Sequence, residues 1–104
     1  MPEISYSNSP VNVAQVGGAL YVTSNYTTVP EIGTYAVDTT AGNVTITVAH
    51  FGLTVTIKKV STDANKLIIV PQTGLLENKS DYSTTSTTRP SYNVRDDGAN
   101  FWFV

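Results

Sequence analysis

The sequence has no cysteine and little charge, and both absences limit what the protein can be. Without cysteine the 104 residues cannot form disulfides, thiolate zinc sites, iron–sulfur clusters or cysteine nucleophiles. Charged residues make up 13% of the chain, compared with roughly 25% in average soluble domains. The formal net charge of -2 and the scattered lysines and arginines argue against a surface that binds nucleic acid.

Long apolar segments and a convincing helical period are also missing. The longest aliphatic run covers residues 67–70, which is too short to span a membrane, so we expect no membrane insertion. The first residues contain neither a basic segment nor an apolar core, so we expect no secretory signal and synthesis in a cytoplasm. At 104 residues the chain predicts one domain with a single modest core.

Residues that could carry catalysis are scarce. His50 is the only histidine, so one chain cannot build a two-histidine metal site, and we expect a structural or interface role for it. The acidic residues lie beside turns, where an aspartate side chain bonds to nearby backbone. A calcium site of Asp96, Asp97 and Asn100 is the alternative at the last of these turns. The sequence therefore predicts no catalytic residues, no cofactor and no bound metal.

Short runs of β-branched and aromatic residues, separated by turn residues, fill the chain from residue 19 onward. Threonines alternate with aliphatic residues most clearly over residues 44–48 and 54–60. The run 67–70 is continuously apolar, which suggests burial on both of its faces. About seven to eight short strands at close spacing predict an all-β fold, either an antiparallel β-sandwich or a jelly-roll-like barrel.

The first 18 residues are the least regular part of the chain. We interpret residues 1–18 as an N-terminal arm that docks on the same domain or on a neighbouring chain, and residues 19–104 as a single β-sandwich domain. A frayed terminus is the alternative for the arm. The candidate docking side chains of the arm are Ile4, Tyr6, Val11, Val13 and Val16.

The chain ends on an aromatic strand that follows the turn Asp96-Asp97-Gly98. Four large apolar residues at a terminus are an aggregation hazard when they are exposed, so we expect them to be covered. Strand alternation places two of them on a face that fills the core and two on a face that needs a second surface, most simply a sister subunit. The residues predicted to close the core and to contact another subunit are Phe101, Trp102, Phe103 and Val104.

Tyrosines outnumber the other aromatic residues, with six in the chain. An exposed tyrosine cluster on a β-sandwich can stack on sugars or fill a protein interface, because the ring is large, rigid and amphipathic. Tyrosine is also a routine strand residue. No tryptophan face or basic cluster accompanies these residues, so sugar binding is the weaker interpretation.

Three segments, taken in order, carry a resemblance to a known family. Residues 33–48 comprise a strand ending at Asp38, a turn of small residues and an alternating strand. Residues 54–69 contain a Thr-Ile-Lys-Lys strand and an Asp-Ala-Asn turn, and residues 97–104 contain a Gly-Ala-Asn-Phe-Trp hairpin. Together they resemble the β-rich module of tailed-bacteriophage virion proteins, which include capsid decoration, head-fibre, tail-fibre and tail-spike proteins. The stretch Val48-Ala49-His50-Phe51 differs from the module, which usually has Leu-Pro there.

The resemblance implies a non-enzymatic virion structural protein that is frequently a trimer. The expected role is a capsid decoration (cement) or head-fibre protein, which contacts the major capsid protein or another virion protein and stabilises or decorates the particle surface. The alternative is a tail-fibre or tail-spike domain that binds a host surface glycan. A chain that begins at Met1 and lacks a long repetitive shaft favours the first role. Threefold association would bury β edges that a monomer leaves exposed.

Overall fold

The computed structural model describes residues 14–16 and 19–104, and of residues 14–16 only the backbone. All the regular structure in this part of the chain is β, which confirms the predicted all-β class, and it includes no helix long and apolar enough to cross a membrane. The strands are β1 (Ala14–Val16), β2 (Ala19–Val22), β3 (Tyr26–Thr27), β4 (Thr34–Val37), β5 (Val44–Val48), β6 (Thr54–Lys59), β7 (Leu67–Pro71), β8 (Tyr82–Thr84), β9 (Ser91–Asp96) and β10 (Phe101–Phe103).

The strands form two sheets. Sheet A has six strands in the order β1-β2-β4-β6-β9-β10, and sheet B has four strands in the order β3-β5-β7-β8. From β2 to β7 successive strands alternate between the sheets, so that β2, β4 and β6 pair in parallel, as do β3, β5 and β7. The chain therefore winds through three stacked coils, each with one strand in sheet A and one in sheet B.

The predicted antiparallel arrangement, as a sandwich or a jelly-roll-like barrel, is not confirmed, because both sheets are mixed. Antiparallel pairs are β1 with β2, β6 with β9, β9 with β10 and β7 with β8. A hairpin keeps consecutive strands in one sheet, whereas most turns before β7 carry the chain across to the other sheet. Alternating threonine and aliphatic residues mark a strand and its two faces, but they do not fix its direction.

The hydrophobic core draws on alternate residues of both sheets. In β5 and β6 every second side chain is buried and the intervening threonines face outward. The run 67–70 follows the same rule, because Leu67 and Ile69 are buried whereas Ile68 and Val70 are half-buried, so burial on both faces is not confirmed. The buried apolar residues are Leu20, Val22, Ile32, Tyr35, Val37, Val44, Ile46, Val48, Val55, Ile57, Leu67, Ile69, Leu76, Val94 and Phe101.

Parallel winding gathers the loops at two ends of the domain. Strands β2, β4 and β6 run in one direction, and the chain returns through β3, β5 and β7. We call one end the His50 end; its loops are residues 28–33, 49–53, 72–81 and 97–100. We call the opposite end the Lys59 end; its loops are residues 23–25, 38–43, 60–66 and 85–90.

Part of the predicted docking arm belongs to the fold. Val16 lies in β1, which pairs with β2 along the edge of sheet A, so strand pairing begins before residue 19. The other candidate docking residues lie outside the described residues; they are Ile4, Tyr6, Val11 and Val13.

Asparagine residues that precede the parallel strands of sheet B, which are β3, β5 and β7, join successive coils. Asn25 Oδ1 accepts the backbone N–H of Thr45 at 2.8 Å, and Asn43 Oδ1 accepts the backbone N–H of Lys66 at 2.8 Å. Thr45 lies in β5 and Lys66 directly precedes β7, so each bond links one coil to the next. Asn65 lies two residues before β7, and its Nδ2 donates to the carbonyl oxygen of Thr39 in the preceding coil at 2.8 Å.

Candidate functional site

At the His50 end, the buried carboxylate of Asp96 holds two loops together. Its Oδ1 accepts hydrogen bonds from His50 Nδ1 and from the Gly98 N–H, both at 2.7 Å. Its Oδ2 accepts the Gly52 N–H at 2.7 Å. The Asp96 side chain is only 2% exposed. One side chain at the end of β9 therefore fixes the loop after β5 against the turn before β10.

The imidazole of His50 faces a hydrogen-bond acceptor at each ring nitrogen. Nδ1 lies against the Asp96 carboxylate, and Nε2 lies 3.1 Å from the carbonyl oxygen of Thr73. A neutral imidazole carries one N–H, so only the imidazolium form donates to both acceptors. The ring also stacks on Phe101 with centroids 4.3 Å apart, a position that favours a cation over the aromatic face. The geometry is that of a histidinium–carboxylate pair.

The surroundings of this pair favour both ionised forms. The hydrogen bond to Asp96 raises the pKa of His50 above its ordinary value, and burial opposes this with a smaller effect. Burial alone would raise the pKa of Asp96, but the N–H groups of Gly52 and Gly98 and the His50 ring together lower it. Both His50 nitrogens are already engaged, so the pair holds loops in place and offers no free base for abstracting a substrate proton.

We expect His50 to make the protein less stable as the pH rises. Because its pKa is raised on folding, its contribution is complete below its unfolded value of 6.5 and is lost as the pH rises through the folded pKa. Loss of the proton removes one of the two N–H donors, so the free energy of unfolding should fall by about 1 kcal/mol. Urea denaturation below pH 6.5 and above the folded pKa of His50 measures the effect. The variant His50→Gln should lack it, and an unchanged wild-type stability would contradict the assignment.

Asp97 and Asn100 fix the turn that leads into β10. Asp97 Oδ1 accepts two backbone N–H groups of the turn at 2.7 and 2.9 Å, and its Oδ2 accepts the indole N–H of Trp102 at 2.7 Å. The backbone N–H of Asn100 and the Trp102 indole lower the pKa of Asp97 to about 2. Asn100 Oδ1 accepts the Leu75 N–H at 3.0 Å. Donors point at these oxygens and at those of Asp96, so the structure does not support the calcium alternative.

The loop between β7 and β8 covers the outer edge of β10. Leu75 O accepts the Phe101 N–H at 2.8 Å, and the Glu77 N–H donates to Phe101 O at 3.0 Å. Glu77 Oε2 accepts the Phe103 N–H at 2.8 Å, and Leu76 between them is fully buried. These bonds occupy backbone groups that an edge strand otherwise presents to other chains. The edge of the last strand is therefore closed largely by its own chain.

We expect the close approach of Gly74 to the turn before β10 to make this position intolerant of a side chain. A Cβ at Gly74 would lie 2.0 Å from the backbone oxygen of Ala99, and the φ angle is +76°. Gly74→Ala should lower the free energy of unfolding by about 2–4 kcal/mol, because the backbone must move and the φ angle is unfavourable.

The control for this substitution is Gly52→Ala. Gly52 has a similar φ of +70°, but a Cβ there would meet nothing within 4 Å. Gly52→Ala should therefore lower the free energy of unfolding by about 1 kcal/mol, the penalty for a side chain at a positive φ angle. Chemical denaturation of the two variants compares them, and equal losses would rule out the clash as the cause.

The four C-terminal residues divide between two environments. Phe101 is 2% exposed in the core, and Phe103 packs on the same side against two tyrosines with ring centroids 5.0 and 5.5 Å away. Trp102 is half-buried on the outer face of sheet A. Val104 is 69% exposed. The outward pair is the one that the sequence assigns to contact with another subunit.

At the opposite end a buried lysine joins two loops. Lys59 Nζ donates to the carbonyl oxygens of Asp63 at 2.6 Å, Asn65 at 3.0 Å and Ser86 at 2.9 Å. The Asp63 carboxylate lies 3.9 Å from the same nitrogen. Lys59 is 0% exposed, and three carbonyls match the three N–H donors of an ammonium group. The lysine thus acts as an internal cation that holds the loops after β6 and β8.

The turn aspartates behave as the sequence predicts. Each accepts the backbone N–H of the residue two positions further on, at 2.7 to 2.9 Å. The pairs are Asp38 with Thr40, Asp63 with Asn65, Asp96 with Gly98 and Asp97 with Ala99. The structural interpretation of these residues is confirmed.

The tyrosines that the structure describes lie in separate environments. Tyr35 is fully buried, with the Tyr26 ring 5.8 Å away. Tyr82 and Tyr92 make an edge-to-face contact at 5.1 Å, and Tyr21 donates its hydroxyl to a turn aspartate. Rings placed in this way do not make a flat stacking platform, so they lend no support to sugar binding.

Three of these features were not predicted from the sequence. The burial of Lys59 could have been predicted, because it lies on the same face of β6 as the buried residues Val55 and Ile57. The repeated asparagine before a strand is a second visible signal. The pairing of His50 with Asp96 joins residues 46 positions apart and has no local signal.

Comparison with known proteins identifies no relative. No family model, no curated protein and no solved structure matches the chain.

Proposed function

We propose that the protein is a non-enzymatic structural protein of a bacteriophage virion, which decorates or stabilises the particle surface as a capsid decoration or head-fibre protein. The observation that supports this most is where the three resembling segments lie in the fold. Residues 33–48 and 54–69 make the second and third coils, and residues 97–104 make the closing hairpin turn and β10. The first two segments therefore form adjacent coils, and the third forms the edge strand of sheet A, which β9 separates from β6.

The non-enzymatic part of the proposal rests on how the polar side chains are used. His50 and Asp96 hold loops at one end, and Lys59 holds loops at the other. A general base or nucleophile needs a free atom within reach of a substrate. The His50 ring, the Asp96 carboxylate and the Lys59 ammonium group bond to fixed backbone and side-chain partners, and the one unpaired oxygen among the described residues of these clusters, Asp63 Oδ2, is buried away from solvent. This is the arrangement of a rigid binding or assembly part.

A trimer is the proposed assembly state. The half-buried Trp102 in β10 and the exposed Val104 that follows it give each copy an apolar strip for contact with a sister subunit. Light scattering on the purified protein should give three times the 11.2 kDa of one chain. A monomer at all accessible concentrations would contradict this assignment.

Quantitative mass spectrometry of purified phage particles tests the function. The chain should be present at a fixed ratio to the major capsid protein, and the ratio should survive repeated purification. Absence from the particles would contradict the proposal. Detection of the chain in separated tails but not in separated heads would instead favour the alternative, a tail-fibre or tail-spike domain that binds a host surface glycan.

A deletion of residues 1–13 tests the docking arm without removing β1, whose backbone pairs with β2. If the arm docks on a neighbouring virion protein, the shortened chain should fold and bind particles more weakly. Unchanged attachment would show that the arm is not the docking element.

A further inference from the structure

The His50 end carries a cluster of exposed apolar side chains. The part of the chain that the structure describes has four exposed large apolar residues, and three of them lie on two loops of this end. They are Phe51, Leu53 and Leu75, with 42%, 47% and 41% of their surface exposed. We call these three residues the apolar loop surface. Single exposed apolar residues are ordinary, but a cluster on neighbouring loops marks an interaction site.

Both loops of this surface are hydrogen-bonded to the last hairpin, which consists of β9, the turn 97–100 and β10. Leu53 O accepts the Asp96 N–H at 3.2 Å, and the adjacent Gly52 N–H donates to the Asp96 carboxylate. Leu75 is bonded through both of its backbone groups, to the Asn100 side chain and to the Phe101 N–H. A surface ordered in advance loses little conformational entropy when a partner binds. These bonds hold the backbone of both loops in place before a partner binds.

Charge at this end limits what kind of surface can approach. Besides the His50–Asp96 pair, the loops and strand ends here carry four acidic and two basic residues, an excess of two negative charges. The acidic residues are Glu31, Glu77, Asp81 and Asp97, and the basic residues are Lys79 and Arg95. Two copies that met through this end would bring like charges together, whereas a basic surface would be attracted.

We propose that the apolar loop surface is the face by which the protein docks on another virion protein, whose contact surface is apolar at its centre and basic at its rim. The proposal rests on the virion role and adds to it which end of the domain faces the particle. Phe51, Leu53 and Leu75 supply the central contacts, from which water is excluded. The acidic residues at the same end orient the protein on a basic partner surface and disfavour acidic partners.

Hydroxyl-radical footprinting of the free protein and of intact particles tests the docking face. On particles the three side chains of the apolar loop surface should be oxidised several-fold less than in dilute free protein. Equal oxidation in both samples would overturn the docking face while leaving the virion role in place. Protection already present in the dilute free protein would also overturn it, because the chain itself or a second copy would then cover the surface. Absence of the chain from the particles would instead refute the virion role.

Two sets of substitutions test the chemistry of the partner. Phe51→Ser and Leu75→Ser should weaken retention on particles about tenfold or more. The control is Ile68→Ser, which removes a half-buried apolar side chain of β7 near the Lys59 end and should leave retention unchanged. Glu31→Lys and Asp81→Lys should also weaken retention. The matched control is Lys66→Glu, a charge reversal at the Lys59 end, which should leave retention unchanged. Stronger retention of the Glu31→Lys and Asp81→Lys variants would mean an acidic partner and would overturn the proposal.

Discussion

Replacing Lys59 with methionine is expected to lower the free energy of unfolding by about 3–5 kcal/mol, the range for losing one partner of a buried charged cluster. Methionine fills much of the same space but donates no hydrogen bond. The carbonyl oxygens of Asp63, Asn65 and Ser86 would then lose a shared donor. For a domain of this size the loss corresponds to a fall of roughly 15–30 °C in the melting temperature, which calorimetry measures.

The neighbouring residue provides the control. Lys58 lies on the opposite face of β6, is partly exposed, and donates one bond to the carbonyl oxygen of Arg89 at 2.7 Å. Lys58→Met removes the same charge and the same side-chain type, but it should cost about 1 kcal/mol or less. If both variants lost the same stability, the account of Lys59 as an internal cation would be wrong.

Removing residues 101–104 is expected to abolish cooperative folding and assembly together. The deletion takes away β10, the core side chain of Phe101, and the backbone bonds that tie the β7–β8 loop to the sheet. Phe101→Ala alone should cost about 3–5 kcal/mol, because a buried ring in contact with His50 leaves a large cavity. Circular dichroism and denaturant titration measure both variants.

Two milder changes separate folding from assembly. Val104→Ser replaces a side chain that is 69% exposed and keeps the backbone N–H that donates to Asn93 O at 3.0 Å, so it should leave the free energy of unfolding of the subunit nearly unchanged. Trp102→Ala should leave a folded subunit whose association is weakened, because Trp102 lies on the outward side of β10. A chain without residues 101–104 that still unfolded in one cooperative transition would show that the last strand is dispensable.

The positions of the longer strands could be predicted from the sequence because burial alternates with a period of two. The expected number, about seven to eight, is below the ten strands of the described residues, because short strands such as β3 and β8 lack a clear alternation. The runs 44–48 and 54–60 gave strands close to those observed, β5 and β6. Strand direction could not be predicted in the same way. It depends on whether a turn returns the chain to the same sheet or carries it across, and both kinds of turn use glycine, asparagine and aspartate.

The coil repeat was visible only in part. Asn25, Asn43 and Asn65 precede equivalent strands, yet they are separated by 18 and 22 residues, so no fixed period stands out in the sequence. The resemblance between residues 33–48 and the virion module covers one coil, and that between residues 54–69 and the module covers the next. Their stacking in parallel follows from pairing between residues far apart in the chain, which local patterns do not encode.

The candidate site was the least predictable part. His50 was expected to have a structural or interface role, but its partner Asp96 lies on a different strand and was assigned to the last turn alone. Lys59 falls within the predicted strand 54–60, where its alternation with Val55 and Ile57 indicates burial but does not indicate what it contacts. A lysine in the core is costly unless carbonyls or carboxylates surround it, and those partners come from loops distant in sequence.

The most direct test of the central claim, the proposed place of the chain on a phage head, is a cryo-EM reconstruction of purified particles that contain it. The account predicts threefold-symmetric density on the surface of the head, with the His50 end against the shell and the Lys59 end toward solvent. A head whose surface carries no density for this domain would contradict the account.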